Sequence, residues 1–160
     1  MGRHLPKGEG LNKRAPAAPV FVVHSLTHAI AALAAAVEAG QPITLLSAPD
    51  AGIYAGPSWF KALVDAAREA APSADFSAIL DCGDDAGAVQ GALRAGIAVV
   101  IFTGRADVAE RLAAIAAAKG ARLLTTRPEE WLDLGCWFFA DAETLRRHCA
   151  ARLASPEAIC

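Results

Sequence analysis

The chain has 160 residues, enough for one domain with a sizeable core, and at 54% hydrophobic and 20% charged residues it lacks the composition of a disordered chain. A net charge of −2 and a pI near 6.1 imply no broad basic face and argue against nucleic acid as a main partner. No apolar run approaches the roughly 20 residues that a membrane-spanning helix needs, which argues against a membrane span.

The first 18 residues are expected to form a flexible tail. Lys7, Lys13 and Arg14 stand there among Pro6, Gly8, Gly10 and Pro16, the composition of a solvated arm. That segment lacks the apolar stretch of a secretory signal, so a cytoplasmic setting is expected. The four cysteines, Cys82, Cys136, Cys149 and Cys160, have no metal-ligand spacing and are expected as reduced thiols.

Residues 19–154 are expected to form a single α/β domain, with a frayed end at 155–160. Residues 19–23 are a continuous apolar run rich in β-branched side chains, which predicts a buried strand ending at His24-Ser25. A helix follows with Leu26, Ile30, Leu33 and Val37 on one face, closed by Gly40. Its alanine runs favour helix while burying little area, so it can lie close to a sheet. Residues 43–46 are the second strand. A long connection, residues 47–56, precedes Pro57, which suits the first turn of a helix with Trp59, Leu63 and Ala67 inward.

The pattern then repeats. Residues 76–80 predict a third strand ending at Asp81-Cys82, with a helix running to Ala95. Residues 97–102 predict a fourth strand ending at Thr103-Gly104-Arg105, then a helix carrying Val108, Leu112 and Ile115. Residues 122–125 predict a fifth strand. Thr126-Arg127-Pro128-Glu129 reads as a capping box opening a short helix. Residues 136–139 form a candidate last strand, and 141–153 a terminal helix.

Strands alternating with helices imply parallel pairing through right-handed crossovers. About five strands are too few for an eight-stranded barrel. A three-layer, doubly wound sheet of flavodoxin or receiver type is preferred because it covers both sheet faces. A singly wound, partial (β/α)-barrel-like sheet is the alternative.

In such sheets ligands bind outside the carboxyl ends of the strands. Those ends carry His24, Ser47 and Asp50, Asp81 and Cys82, Thr103 and Arg105, and Thr125 and Arg127. In flavodoxin order the first and third strands are neighbours, so His24 would face Asp81. A carboxylate beside an imidazole fixes its tautomer, as a general base requires. His28 stands four residues beyond His24, but a strand end does not give helical metal-ligand geometry, and no metal is expected. Ser47, Asp50 and Tyr54 lie in a long connection that carries apolar Ile53 and Tyr54, as a segment folding over a ligand would. Arg105 and Arg127, with Thr103, are candidate contacts for a phosphate or carboxylate. Cys82 at a helix start suggests a nucleophile; Asp84-Asp85 reads as helix capping. Trp131, Trp137, Phe138 and Phe139 form an aromatic group suited to a core or to a homo-oligomer interface.

Residues 99–134 resemble the later part of response-regulator receiver domains. Val-Val-Ile-Phe-Thr-Gly-Arg-Ala-Asp is similar to their fourth strand with its terminal hydroxyl residue, and Thr126-Arg127-Pro128 stands where that family has Lys-Pro. The resemblance implies Asp81 as the phosphoacceptor position. His24-Ser25 replaces the family's magnesium-binding acidic pair and Arg127 its lysine, so a degenerate receiver is what it implies. Residues 81–104, with Ala-Leu-Arg-Ala-Gly before an apolar strand, are similar to strand–helix–strand units of barrel aldolases; no residue role carries over from that likeness. No cofactor is indicated. The expected function is binding of a small anionic molecule at the carboxyl edge, with hydrolase or lyase chemistry on His24 and Asp81. The alternative is a non-catalytic regulatory or scaffold module acting through dimerisation.

Overall fold

A computed structural model describes residues 17–156. The expected tail and frayed end, including Cys160, fall outside that range but for a few residues. Six strands, β1 (Val20–Val23), β2 (Ile43–Ser47), β3 (Phe76–Asp81), β4 (Val99–Ile101), β5 (Arg122–Leu124) and β6 (Leu132–Asp133), form one sheet in the order β5-β4-β3-β2-β1-β6. Every pair is parallel. The helices are α1 (Leu26–Ala39), α2 (Ala51–Tyr54), α3 (Pro57–Ala70), α4 (Ala86–Arg94), α5 (Ala106–Ala118) and α6 (Ala142–Ala154), with a 3-10 turn at Leu134–Trp137. None of the described helices is long and apolar enough to cross a membrane.

The parallel α/β class is the one the sequence predicts, and the order within it is that of the singly wound alternative. Read as a circle, the strands run in sequence from β1 to β6, and β6 returns beside β1. Their pairing sorts the side chains into two faces. Phe21, Val23, Leu45, Leu80, Val100 and Phe102 join the helices in two adjoining clusters that share Val64 and Ala78. Val20, Val22, Leu46, Ile79 and Ile101 cluster on the other face with no helix residue among them, and all five are buried. The preference for a doubly wound sheet assumed that this second face would need a helical layer.

Curvature supplies the cover. The eight peptide steps from Leu124 to Leu132 reach at most about 28 Å. Crossing five strand spacings of a flat sheet would consume about 24 Å. Little would remain to return to the start of β6, where the Trp131 N–H bonds the Val20 carbonyl, or to bring Arg127 against Ser47 and Asp81 on the way. The sheet therefore curls, with its second face inside. Its seam lies between β5 and β6 and has no helix over it, because residues 125–131 contain none. The expected helix after Thr126 is absent for that reason: the chain is needed in extended form to span the seam. The last strand lies at Leu132–Asp133, whereas residues 136–139, expected as a strand, fall in the 3-10 turn Leu134–Trp137 and the turn after it.

Helix α1 corrects a second expectation. Leu26 and Val37 are exposed, while Ala29, Ala31, Ala32, Leu33, Ala35 and Ala36 are buried. The helix is flanked by both α3 and α6, so its small residues face three neighbours at close range and the larger ones are left outside. In α3 the inward residues are Phe60, Leu63 and Ala67, with Trp59 over a third exposed.

Candidate functional site

The carboxyl ends of the strands gather the residues predicted for the site, in different partnerships from those expected. Because β1 lies between β2 and β6, His24 does not face Asp81. Its Nε2 sits 2.6 Å from Oδ1 of Asp133, the last residue of the neighbouring strand. The same carboxylate oxygen accepts the Gly135 N–H at 2.8 Å, so Asp133 is held by the turn that follows it. A Cβ on Gly135 would stand 2.8 Å from His24 Nε2; the side-chain-free position is what lets the imidazole reach the carboxylate. Asp133 carries no signal in the sequence, since a two-residue strand leaves almost no period.

His28 stands behind this pair, fully buried. Its Nδ1 accepts the His24 backbone N–H at 3.2 Å, and Ser25 caps the helix by accepting the His28 N–H. Burial, and then the neighbouring His24, lower the His28 pKa, so its ring is held neutral; the Phe138 backbone and the Asp133 charge act weakly the other way.

Asp81, 3% exposed, is the centre of a separate network. One carboxylate oxygen accepts the Gly83 N–H at 2.8 Å, the other the Arg127 Nη1 at 2.7 Å. Arg127 also donates through Nη2 to the Ser47 carbonyl at 3.0 Å, and through Nε and Nη2 to Glu130. The Ser47 hydroxyl is buried, accepting the Asp81 N–H and donating to the Ala48 carbonyl. Arg127 thus ties the connection leaving β5 to the ends of β3 and β2 through a partly buried charge pair with most of its donors satisfied.

The connection after β2 is tighter than its length suggested. It coils into α2, whose Ala51 and Gly52 are buried, leaving Ile53 and Tyr54 at the surface, Tyr54 at 68% exposure. Asp50 precedes the helix at φ 60°, the single non-glycine residue of positive φ among the described residues. Its carboxylate lies over Gly83 so closely that a Cβ there would collide with it. Gly83 itself has φ 54°, a left-handed conformation that glycine adopts without strain.

Other candidates stand apart. Arg105 is turned outward, 80% exposed, with Nε and Nη2 on the Asp107 carboxylate; Thr103 is exposed beside it. Cys82 is fully buried, and burial with the Asp81 and Asp85 charges pushes its thiol up to about 12, the opposite of an activated nucleophile. Asp85 caps α4 by accepting the Ala88 N–H, as expected. Among the described residues no group of three or more His, Cys, Asp or Glu side chains is placed to hold a metal ion. The aromatic residues do not form one group: Trp137 stacks on His148, Trp131 lies under the Arg152 guanidinium, and Phe138 packs edge-on to His28 and Phe139.

No protein-family model matches the chain, and no curated protein matches it. Among solved structures, a protein of Coccidioides immitis assigned as a fructose-1,6-biphosphate aldolase aligns with 67% of the chain and 44% of its own length, at 21% identity and TM-score 0.56. A protein of Sinorhizobium meliloti assigned as a tagatose 6 phosphate kinase aligns with 88% of the chain and 46% of its own length, at 16% identity and TM-score 0.52. The chain therefore spans under half the length of either neighbour, and at these identities what it is similar to is their α/β fold.

Proposed function

We propose that the chain binds a small phosphate- or carboxylate-bearing molecule at the carboxyl rim, with His24 as general base for hydrolase or lyase chemistry. The observation that carries this reading is the His24–Asp133 contact at 2.6 Å. With Nε2–H donated to Asp133, the lone pair is on Nδ1, for which no partner occurs among the described residues. That nitrogen is the one to take a proton from a hydroxyl or from a carbon beside a carbonyl. Asp133 orients the base. Asp81 enters as the positioning residue for Arg127, and Ser47 completes that support.

The anion contact falls to Arg127. Its Nε–Nη2 edge is occupied by Glu130, a surface carboxylate 38% exposed, at 3.0 and 2.8 Å. A phosphate oxygen offers the same acceptor to the same edge with more charge. Thr103 and Arg105 after β4, and Asp50 and Tyr54 after β2, stand apart from the Arg127 edge and enter this reading only as outer contacts for a larger ligand. The two neighbours named above are assigned as enzymes of phosphorylated sugars, which supports an anionic ligand of that class.

Calorimetric titration with fructose 1,6-bisphosphate tests it. Saturable binding is expected, weakened by Arg127→Gln and tightened by Glu130→Gln, which empties the seat, with a matching rise in melting temperature. No binding by the wild-type chain, or binding indifferent to both substitutions, refutes it. A second reading, a non-catalytic module that dimerises, is favoured by Phe138 and Phe139, 50% and 97% exposed. Sedimentation of the wild type and of Phe139→Ser separates the two: a dimer dissolved by the substitution supports it.

A further inference from the structure

A cleft of about 310 Å³ lies at the other end of the sheet, between α3 and the turn leading from α4 into β4. Its cause is a change of side-chain size across the helix-facing side of the sheet. Leu45 on β2 pairs with Ala78 on β3. The position facing Ala78 on the next strand is Ala98, one residue before the Val99–Ile79 pair. Two alanines in a row leave a hollow at the join of the two core clusters, walled by Phe60, Val64 and Ile97. The volume is within the range of small-ligand sites, roughly 300–1,000 Å³.

The mouth of this hollow is charged. Arg68 lies over the Phe76 ring, its guanidinium carbon 4.3 Å from the centroid. It makes no ion pair or hydrogen bond with any described residue, so its N–H groups are available. Lys61 and Asp65, also on the rim, neutralise each other at 2.6 Å. One uncompensated, pre-oriented cation therefore stands over an apolar floor. We infer that this cleft is a second ligand site, separate from the carboxyl rim, for a small carboxylate with a flat apolar body. The body lies on Ala78 and Ala98 and the carboxylate meets the Arg68 donors.

The probes are 2-naphthoate and its neutral analogue 2-naphthylmethanol, followed by backbone amide shifts of the whole chain. Saturable shifts at Ala78, Gly96 and Ala98 are expected with naphthoate, with affinity for the alcohol about tenfold lower. Arg68→Gln, a surface change that leaves the core intact, should weaken naphthoate about tenfold and leave the alcohol unaffected. Ala78→Met should abolish both while keeping a dispersed spectrum. Absence of saturable shifts, shifts centred on the carboxyl rim, equal affinity for acid and alcohol, or binding that survives Ala78→Met each overturns the inference. None of these results depends on His24 or Arg127.

Discussion

Replacing Arg127 with leucine isolates the contact on which the curled sheet closes. The Arg127 side chain is 21% exposed and that of its partner Asp81 only 5%, with the charged groups 2.7 Å apart. Leucine keeps much of the side-chain volume but leaves one oxygen of a buried carboxylate unpaired. The Ser47 carbonyl also loses its Nη2 donor. Removing one member of a buried ion pair costs about 3–5 kcal/mol; the Gly83 N–H stays on Asp81 Oδ1 and puts the expected loss near the bottom, about 3 kcal/mol. For a domain of this size that lowers the melting temperature by about 10 °C. Urea denaturation at neutral pH measures it, with Arg105→Leu as the reference. Arg105 pairs with Asp107 at similar distance but is 80% exposed, so its loss should stay within about 0.5 kcal/mol. Asp81→Asn in the Arg127→Leu background should recover part of the stability by removing the stranded charge. A loss under about 1 kcal/mol at Arg127, or equal losses at the two arginines, would show that Arg127 does not pin the seam.

Gly135→Ala should displace His24 from Asp133, since the new methyl would stand 2.8 Å from Nε2 and 3.0 Å from Oδ1; the histidine ring nitrogen shifts should change while helical circular dichroism persists. In a variant lacking Cys136 and Cys160, Cys82 and Cys149 should resist a thiol reagent at pH 8 until urea unfolds the chain, because burial raises both thiols to about 12. Labelling of the native protein would refute that placement. His28 has a pKa lowered in the folded chain below the 6.5 of the unfolded one. The unfolded chain therefore binds the extra proton first, and stability present above about pH 6.5 is lost as the pH falls toward the folded value. The drop in unfolding free energy between pH 7.5 and 5.5 should be smaller in His28→Leu than in the wild type.

The parallel class was legible because five apolar runs recur between helical segments, each ending in polar residues. The strand order was not. Nothing in the apolar runs says that β2 lies between β1 and β3, and the closing pair depends on residues 132–133, a two-residue strand that carries no period. Without β6 beside β1, His24 had no visible partner, and Asp81 was the acid to which flavodoxin order assigned it. Alanine misled in a similar way: Leu26 and Val37 mark the apolar face of α1 on any hydropathy scale, yet packing against three neighbours selected Ala29, Ala32 and Ala36. That His24, Asp81 and Arg127 lie along the carboxyl rim follows from chain direction alone.

The return of β6 to β1 also sets an order of events for the emerging polypeptide. The flank of α1 is completed by α6, about a hundred residues later, with Arg146 reaching Glu38 at 2.7 Å. Until that late segment leaves the ribosome, β1 has one open edge and the inner flank of α1 stays wet. Nascent chains therefore carry exposed apolar surface until residues 132–154 have emerged, and a chain broken off before Leu132 retains it.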